Sequence, residues 1–212
     1  MSFEYNKKYF KNHFKSPLYN WYIKIRNKQI KREVLKLKKR GNFLDIGFGN
    51  DNLIKLFKNN FKVFGVDISE FAVKQIQKSY KKENFKICDI SKEKIPFNEK
   101  FDVICTINTI EHLQNPKTAF LNIYYALKPD GIFMIYLPTK SNIFSKIGYK
   151  LLYNVKEHIF RPSNNQLKEM LKNTGFNLKK EYSGNFFPLK IKNKHIIDSF
   201  NLYFAFLEKQ KS

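Results

Sequence analysis

The chain has 212 residues, a formal charge of +22, two cysteines and no apolar run near the roughly 18 residues of a membrane span. That length suits one medium domain with a real core. Two thiols exclude a disulfide framework, and with no Cys-x-x-Cys and no His/Cys cluster of zinc spacing, no metal is expected. The charge points toward nucleic acid or an anionic membrane surface, but lysine carries nearly all of it. The guanidiniums are Arg26, Arg32, Arg40 and Arg161, and phosphate-reading surfaces favour arginine for its bidentate fork.

Residues 1–15 mix aromatics with lysines without strong periodicity. Ser16-Pro17 then gives a cap followed by proline at the first helical position. Leu18, Tyr22 and Ile25, then Ile30, Val34 and Leu37, predict helix up to Gly41, with Lys38, Lys39 and Arg40 complementing its negative end. This arm, residues 1–41, reads either as a helix covering one edge of a sheet or as a lid whose aromatics fold over a ligand pocket.

From Phe43 onward strands alternate with helices. Predicted strands are Asn42–Gly47, Lys62–Asp67, Asn84–Cys88, Phe101–Thr106 and Ile132–Leu137, with Cys88 and Cys105 inside two of them. Predicted helices are Asn52–Asn59, Ser69–Lys82 and one opened by Asn115-Pro116; Lys128-Pro129-Asp130-Gly131 reads as a stop and a tight turn. Near-continuous apolar strands separated by helices mean an α/β protein with a parallel sheet covered on both faces. After Pro138 a short insertion helix around Ile143–Leu152, a loop Lys156–Pro162 and a helix opened by the capping box Ser163–Gln166 are expected. Strands Phe176–Tyr182 and Asn201–Glu208 close the chain. No internal repeat or linker divides it, so one domain is expected: the arm, a core over 42–137, and a cover plus last strands over 138–212. The start of the chain lacks the apolar run of a signal peptide, so the expected location is cytoplasmic.

The organising stretch is Phe43–Asn50. An apolar strand ends in Asp45 and runs through Gly47-Phe48-Gly49 into a helix, a geometry that brings backbone amides to an anionic or zwitterionic ligand. A second strand ends in Asp67, where a carboxylate can take both hydroxyls of a ribose. The chain reads as a nucleoside-cofactor enzyme.

Leu44-Asp45-Ile46-Gly47-Phe48-Gly49, Gly65-Val66-Asp67-Ile68-Ser69, Cys88-Asp89-Ile90, Phe101-Asp102-Val103-Ile104, Ile110-Glu111-His112-Leu113 and Leu127–Gly131 follow one another in a set order. That series resembles class I S-adenosylmethionine-dependent methyltransferases over residues 42–182, and is most similar to the small-molecule type 11 (UbiE/UbiG-like) branch. The resemblance implies a Rossmann-like, mostly parallel seven-stranded sheet with an antiparallel last strand. It also implies S-adenosylmethionine as cofactor, leaving as S-adenosylhomocysteine, and a methyl group passed to O, N or C of a small-molecule acceptor. Gly47 and Gly49 would pass under the methionine half, Asp45 would help hold its ammonium and Asp67 the ribose. Asp89 would take the adenine amino group between Ile68 and Ile90, and Asn108 would face the methyl donor. If the acceptor must lose a proton, His112 and His158 are the candidate bases, each equally readable as a structural histidine. Asp102 reads as structural.

One departure stands out: Asp51 occupies the place of the usual third glycine, where it either narrows the pocket or caps the next helix. A dinucleotide site would want its last glycine where Asn52 stands. No Asn-Pro-Pro-Tyr-like tetrapeptide follows the fourth strand, and Cys105 is not in an exposed loop, which argues against base amino-methylation and covalent cytosine chemistry. An RNA-directed enzyme, motivated by charge, and a non-catalytic cofactor-binding subunit, motivated by Asp51, are the alternatives. Peripheral membrane contact also fits the basic, aromatic surface. Neither the acceptor nor the oligomeric state is encoded legibly.

Overall fold

The computed structural model describes residues 17–50, 52–140, 158–183 and 202–210. The expected insertion helix, residue 51 and the aromatics of residues 1–15 lie outside them. Helix α1 (Pro17–Leu37) leads into β1 (Asn42–Ile46), α2 (Asn52–Phe57), β2 (Lys62–Asp67), α3 (Glu70–Ile76) and β3 (Phe85–Ile87). Then come β4 (Phe101–Ile107), α4 (Pro116–Ala126), β5 (Leu127–Pro138), α5 (Asn164–Asn173), β6 (Phe176–Ser183) and β7 (Leu202–Lys209).

The seven strands form one sheet in the order β3-β2-β1-β4-β5-β7-β6, with β7 antiparallel to both neighbours and every other pairing parallel. This is the sheet the resemblance implies. Two apolar clusters cover its faces. On one, Phe120 and Ile123 of α4 and Leu167 and Leu171 of α5 pack on Leu44, Phe64 and Phe133. On the other, Ile30 and Val34 of α1, Ile54 and Phe57 of α2 and Val73 of α3 pack on Phe43, Val103 and Met134. Strands buried on both faces need the near-continuous apolar runs seen in the sequence.

The caps form as their residues dictate. Ser69 Oγ accepts the Ala72 amide at 3.2 Å, Asn115 Oδ1 accepts that of Thr118 at 3.2 Å, and Ser163 with Gln166 completes the capping box of α5. Ahead of α2 it is Asn50 whose Oδ1 accepts the Asn52 amide at 3.2 Å.

Four expectations are corrected. Helix α1 ends at Leu37, which is exposed, and its buried stripe is Ile23, Arg26, Asn27, Ile30, Glu33 and Val34. Helix α3 stops at Ile76 instead of Lys82: the Gln77 side-chain Nε2 donates forward to the Phe85 carbonyl at 2.8 Å, and the chain folds into a short 3-10 turn at Lys82–Asn84. Lys128–Gly131 is not a tight turn but part of β5, set off from β4 by a register shift between Phe101 and Val103. The Lys128 ammonium on Asp102 at 2.8 Å and a Lys38–Asp130 ion pair hold it extended. Cys88 lies just past β3, not within it.

Candidate functional site

Strand order reverses between β1 and β4, the place where an open parallel sheet leaves a crevice at the carboxyl ends of its strands. A cleft of about 220 Å³ opens there. Asp45, Gly47, Gly49, Asp67, Ile68, Asp89, Ile90, Asn108 and His112 all line it; His158 does not.

Its floor is the turn after β1. Gly47 and Gly49 adopt φ of +71° and +52°, the left-handed region that costs a glycine little. Gly47 has a second reason for lacking a side chain: a Cβ there would sit 2.3 Å from Thr109 Oγ1. The Thr109 hydroxyl itself donates to the Ile46 carbonyl at 3.1 Å, stitching the β4 end to the β1 end. Asn108, beside it, is also left-handed at φ +50°, and its Oδ1 is buried with no hydrogen-bond partner.

The acids form one wall. Asp67 accepts the Gly49 amide at 2.9 Å and the Ser69 amide at 2.8 Å, one on each carboxylate oxygen, and burial still holds its pKa above the ordinary value. Asp45 is buried, and desolvation together with the neighbouring Asp67 charge pushes its pKa up to about 8, with the Arg26 guanidinium pulling the other way. Asp89 accepts the Ser91 amide at 3.0 Å and hydroxyl at 2.6 Å, and its other oxygen pairs with Lys92 at 2.9 Å. Burial raises its pKa, but these bonds reverse the effect and leave it below the usual carboxylate range. Asp89 thus caps its own turn while facing the cleft. Ile68, about half exposed, and Ile90, buried, offer apolar surface there. Cys88 lines the cleft as well, its thiol pushed up to about 12 by burial and by Glu93 and Asp89, so it is inert there.

Helix α1 also lines the cleft, contributing Ile23, Arg26 and Asn27. The Arg26 Nε and Nη2 donate to Asn27 Oδ1 at 3.1 and 3.0 Å, and the guanidinium lies 5.4 Å over the Tyr136 ring. The sequence reading missed these two residues. The signal for them is the spacing Ile23, Arg26/Asn27, Ile30, Val34, which keeps one helix face pointed at the sheet. The arm therefore both covers the sheet and walls the cleft, through polar side chains among its described residues.

His112 ends a 3-10 turn, Ile110–His112, and stands at the cleft rim. His158 is buried against it, ring centroids 4.9 Å apart at 76°. Glu111, next to His112 in the turn, is fully buried, with neither carboxylate oxygen hydrogen-bonded among the described residues and its pKa pushed up to about 8 by desolvation. One donor atom from each of Glu111, His112 and His158 lies within 4.8 Å of the others. Zinc-type spacing in the sequence could not reveal this group, because His158 arrives from a distant loop.

Chemically, the cleft offers two buried carboxylates and one guanidinium at a backbone cradle, with flat apolar surface beside them. That suits a ligand with a zwitterionic end and an apolar ring. Among the described residues no helix is long and apolar enough to cross a membrane.

A family model described as a methyltransferase domain matches residues 22–181. The ubiquinone biosynthesis O-methyltransferase of Rickettsia canadensis (strain McKiel) is 26% identical over 183 residues, covering 78% of this chain and 75% of that protein. The juvenile hormone acid O-methyltransferase of Drosophila melanogaster is 33% identical over 98 residues, 42% of this chain and only 33% of its own length. Among solved structures, an S-adenosylmethionine-dependent methyltransferase from Clostridium acetobutylicum superposes with a TM-score of 0.67 at 16% identity, over 89% of this chain and 92% of that one.

Proposed function

The chain belongs to the methyltransferase-domain family, and we propose that it uses S-adenosylmethionine to methylate an oxygen of a small-molecule acceptor in the cytoplasm. The single observation that supports this reading is the charge pattern of the cleft, which Asp45, Asp67 and Arg26 line together with Gly47 and Gly49. The buried Asn108 Oδ1, without a hydrogen-bond partner among the described residues, and the Asp45 carboxyl, whose pKa is raised by burial and then by the Asp67 charge, are what a cationic ammonium would satisfy.

In this reading Asp45 takes the ammonium and Arg26 the carboxylate of the methionine end, with Gly47 and Gly49 beneath it. Asp67, both oxygens already steadied by backbone amides, accepts the two ribose hydroxyls with its remaining lone pairs. Asp89 faces the adenine amino group, with Ile68 and Ile90 on the two sides of the ring. Asn108 stands toward the reacting end. Bound there, the cofactor supplies an electrophilic methyl on sulfur. The chain's part is alignment and exclusion of water, and orientation alone is worth about 7–11 kcal/mol.

Oxygen as the acceptor atom is supported by the names of the two relatives, and by the Glu111–His112–His158 group, of which His112 lines the cleft and which suits an acceptor that must lose a proton. The test is transfer of labelled methyl from S-adenosylmethionine to fractionated extract. Label in the low-molecular-weight fraction is expected; label confined to ribonuclease-sensitive material would overturn the small-molecule reading in favour of RNA.

A further inference from the structure

We propose that Glu111, His112 and His158 form a divalent transition-metal site that opens onto the cleft and binds the acceptor oxygen. The inference rests on the functional reading above only for the identity of the acceptor; the metal site stands on its own geometry.

Three observations carry it. First, one donor atom from each residue lies within 4.8 Å of the others. Donors at the usual 2.0–2.1 Å around one tetrahedral ion would be about 3.3 Å apart, so closure asks for movements of about 1.5 Å, within reach of side-chain torsions. Second, Glu111 is fully buried with neither carboxylate oxygen hydrogen-bonded. A buried carboxylate without a counter-charge is strongly destabilising, and no ion pair reaches it among the described residues. A proton would neutralise it yet leave an acid with nothing to donate to. A cation answers both deficits.

Third, the backbone holds the three residues together. The Phe160 amide donates to the Glu111 carbonyl at 2.9 Å, the Arg161 Nε donates to the His158 carbonyl at 2.7 Å, and the Lys140 amide ties Pro162 to the end of β5 at 2.9 Å. These bonds fix the loop that carries His158 against the 3-10 turn that carries Glu111 and His112.

Two imidazoles and one carboxylate suit zinc, iron, nickel or cobalt better than magnesium or calcium, which prefer all-oxygen shells. Of the three, His112 lines the cleft whereas Glu111 and His158 are buried, so an ion held by them would meet the cleft beside His112. There the ion takes an acceptor hydroxyl oxygen and lowers its pKa. The O–H bond breaks, the proton goes to water, and the electron pair stays on oxygen.

The test is titration of the purified, metal-stripped full chain with Co²⁺, followed by visible absorption and equilibrium dialysis. The proposal expects one equivalent per chain with the d–d absorption of low-coordinate cobalt. Glu111→Gln, nearly isosteric, and His158→Ala should each weaken binding about 100-fold. Absence of the absorption band, or a band unchanged in both variants, would overturn it. S-adenosylmethionine binding is measured on the same samples. If the wild type binds the cofactor but not cobalt, the metal site alone falls; if it binds cobalt through these residues but not the cofactor, the functional reading alone falls.

Discussion

Asp67 accepts the Gly49 amide at 2.9 Å, so the carboxylate that ends β2 also fixes the tip of the glycine turn that follows β1. The same side chain takes the Ser69 amide at 2.8 Å, and in the proposed function it does a third job on the ribose. Replacing Asp67 by Asn should weaken cofactor binding about tenfold. Asp67→Ala, which also frees two amides, should weaken it by more than about 100-fold, as the loss of two charge-assisted bonds at roughly 1.5–3 kcal/mol each implies. Calorimetric titration of both variants checks this; an unchanged affinity in Asp67→Ala would remove Asp67 from the site.

Asp45 makes the cleft pH-sensitive. Its pKa of about 8 in the folded chain stands above an unfolded value of about 3.9. The folded state thus holds the extra proton between those values, and this carboxyl's contribution to stability falls as pH rises from about 4 to about 8, then levels off. Asp45→Asn should flatten that part of the stability curve in denaturant melts. An ammonium docked on Asp45 ionises it, so cofactor binding at pH 7 should release close to one proton, seen as a binding enthalpy that scales with buffer ionisation heat. In Asp45→Asn the scaling should vanish.

The legibility of the sequence was uneven for physical reasons. Strands β1, β2, β4 and β5 were legible because both faces of the sheet are covered there, which forces nearly unbroken apolar runs such as Ile132–Leu137. The cleft residues after β1, β2 and β4 were legible because a parallel sheet puts its crevice at strand ends. Arg26 and Asn27 were hidden because polar residues in a buried helical stripe look like a solvated face amid so many lysines. The Glu111–His158 neighbourhood was hidden because tertiary folding, not spacing, creates it. Lys128–Gly131 carries turn residues, and its ion pairs to Asp102 and Lys38 are tertiary contacts that spacing does not announce.

Gly47 is pinned by two independent constraints, its φ of +71° and the Thr109 hydroxyl 2.3 Å from where a Cβ would fall. Gly47→Ala should cost about 1–3 kcal/mol. In a Thr109→Ala background, where the hydroxyl is gone, the added cost should be smaller. Urea denaturation of the double-variant cycle reads the difference; equal costs in both backgrounds would leave backbone strain as the whole effect.

Glu33 anchors α1, and with it Arg26 and Asn27, to β6. Its carboxylate accepts from Lys180 Nζ at 2.8 Å, Tyr182 Oη at 2.8 Å and Lys36 Nζ at 2.7 Å. Burial opposes ionisation, but these three bonds prevail and lower its pKa to about 2. The stabilisation is therefore complete above about pH 4.5 and is lost as pH falls toward 2. Glu33→Ala should cost about 1.5–3 kcal/mol, and should weaken cofactor binding although Glu33 does not line the cleft. Paired melts and titrations check both effects.

The cleft between β1 and β4 is proposed as the site for S-adenosylmethionine. Parallel calorimetric titration of the wild-type chain with S-adenosylmethionine, S-adenosylhomocysteine and NAD tests it most directly. Micromolar binding of the first two is expected and none of NAD, because Asn52 stands where a dinucleotide cradle needs its last glycine. Binding of NAD, or of none of the three, would contradict it.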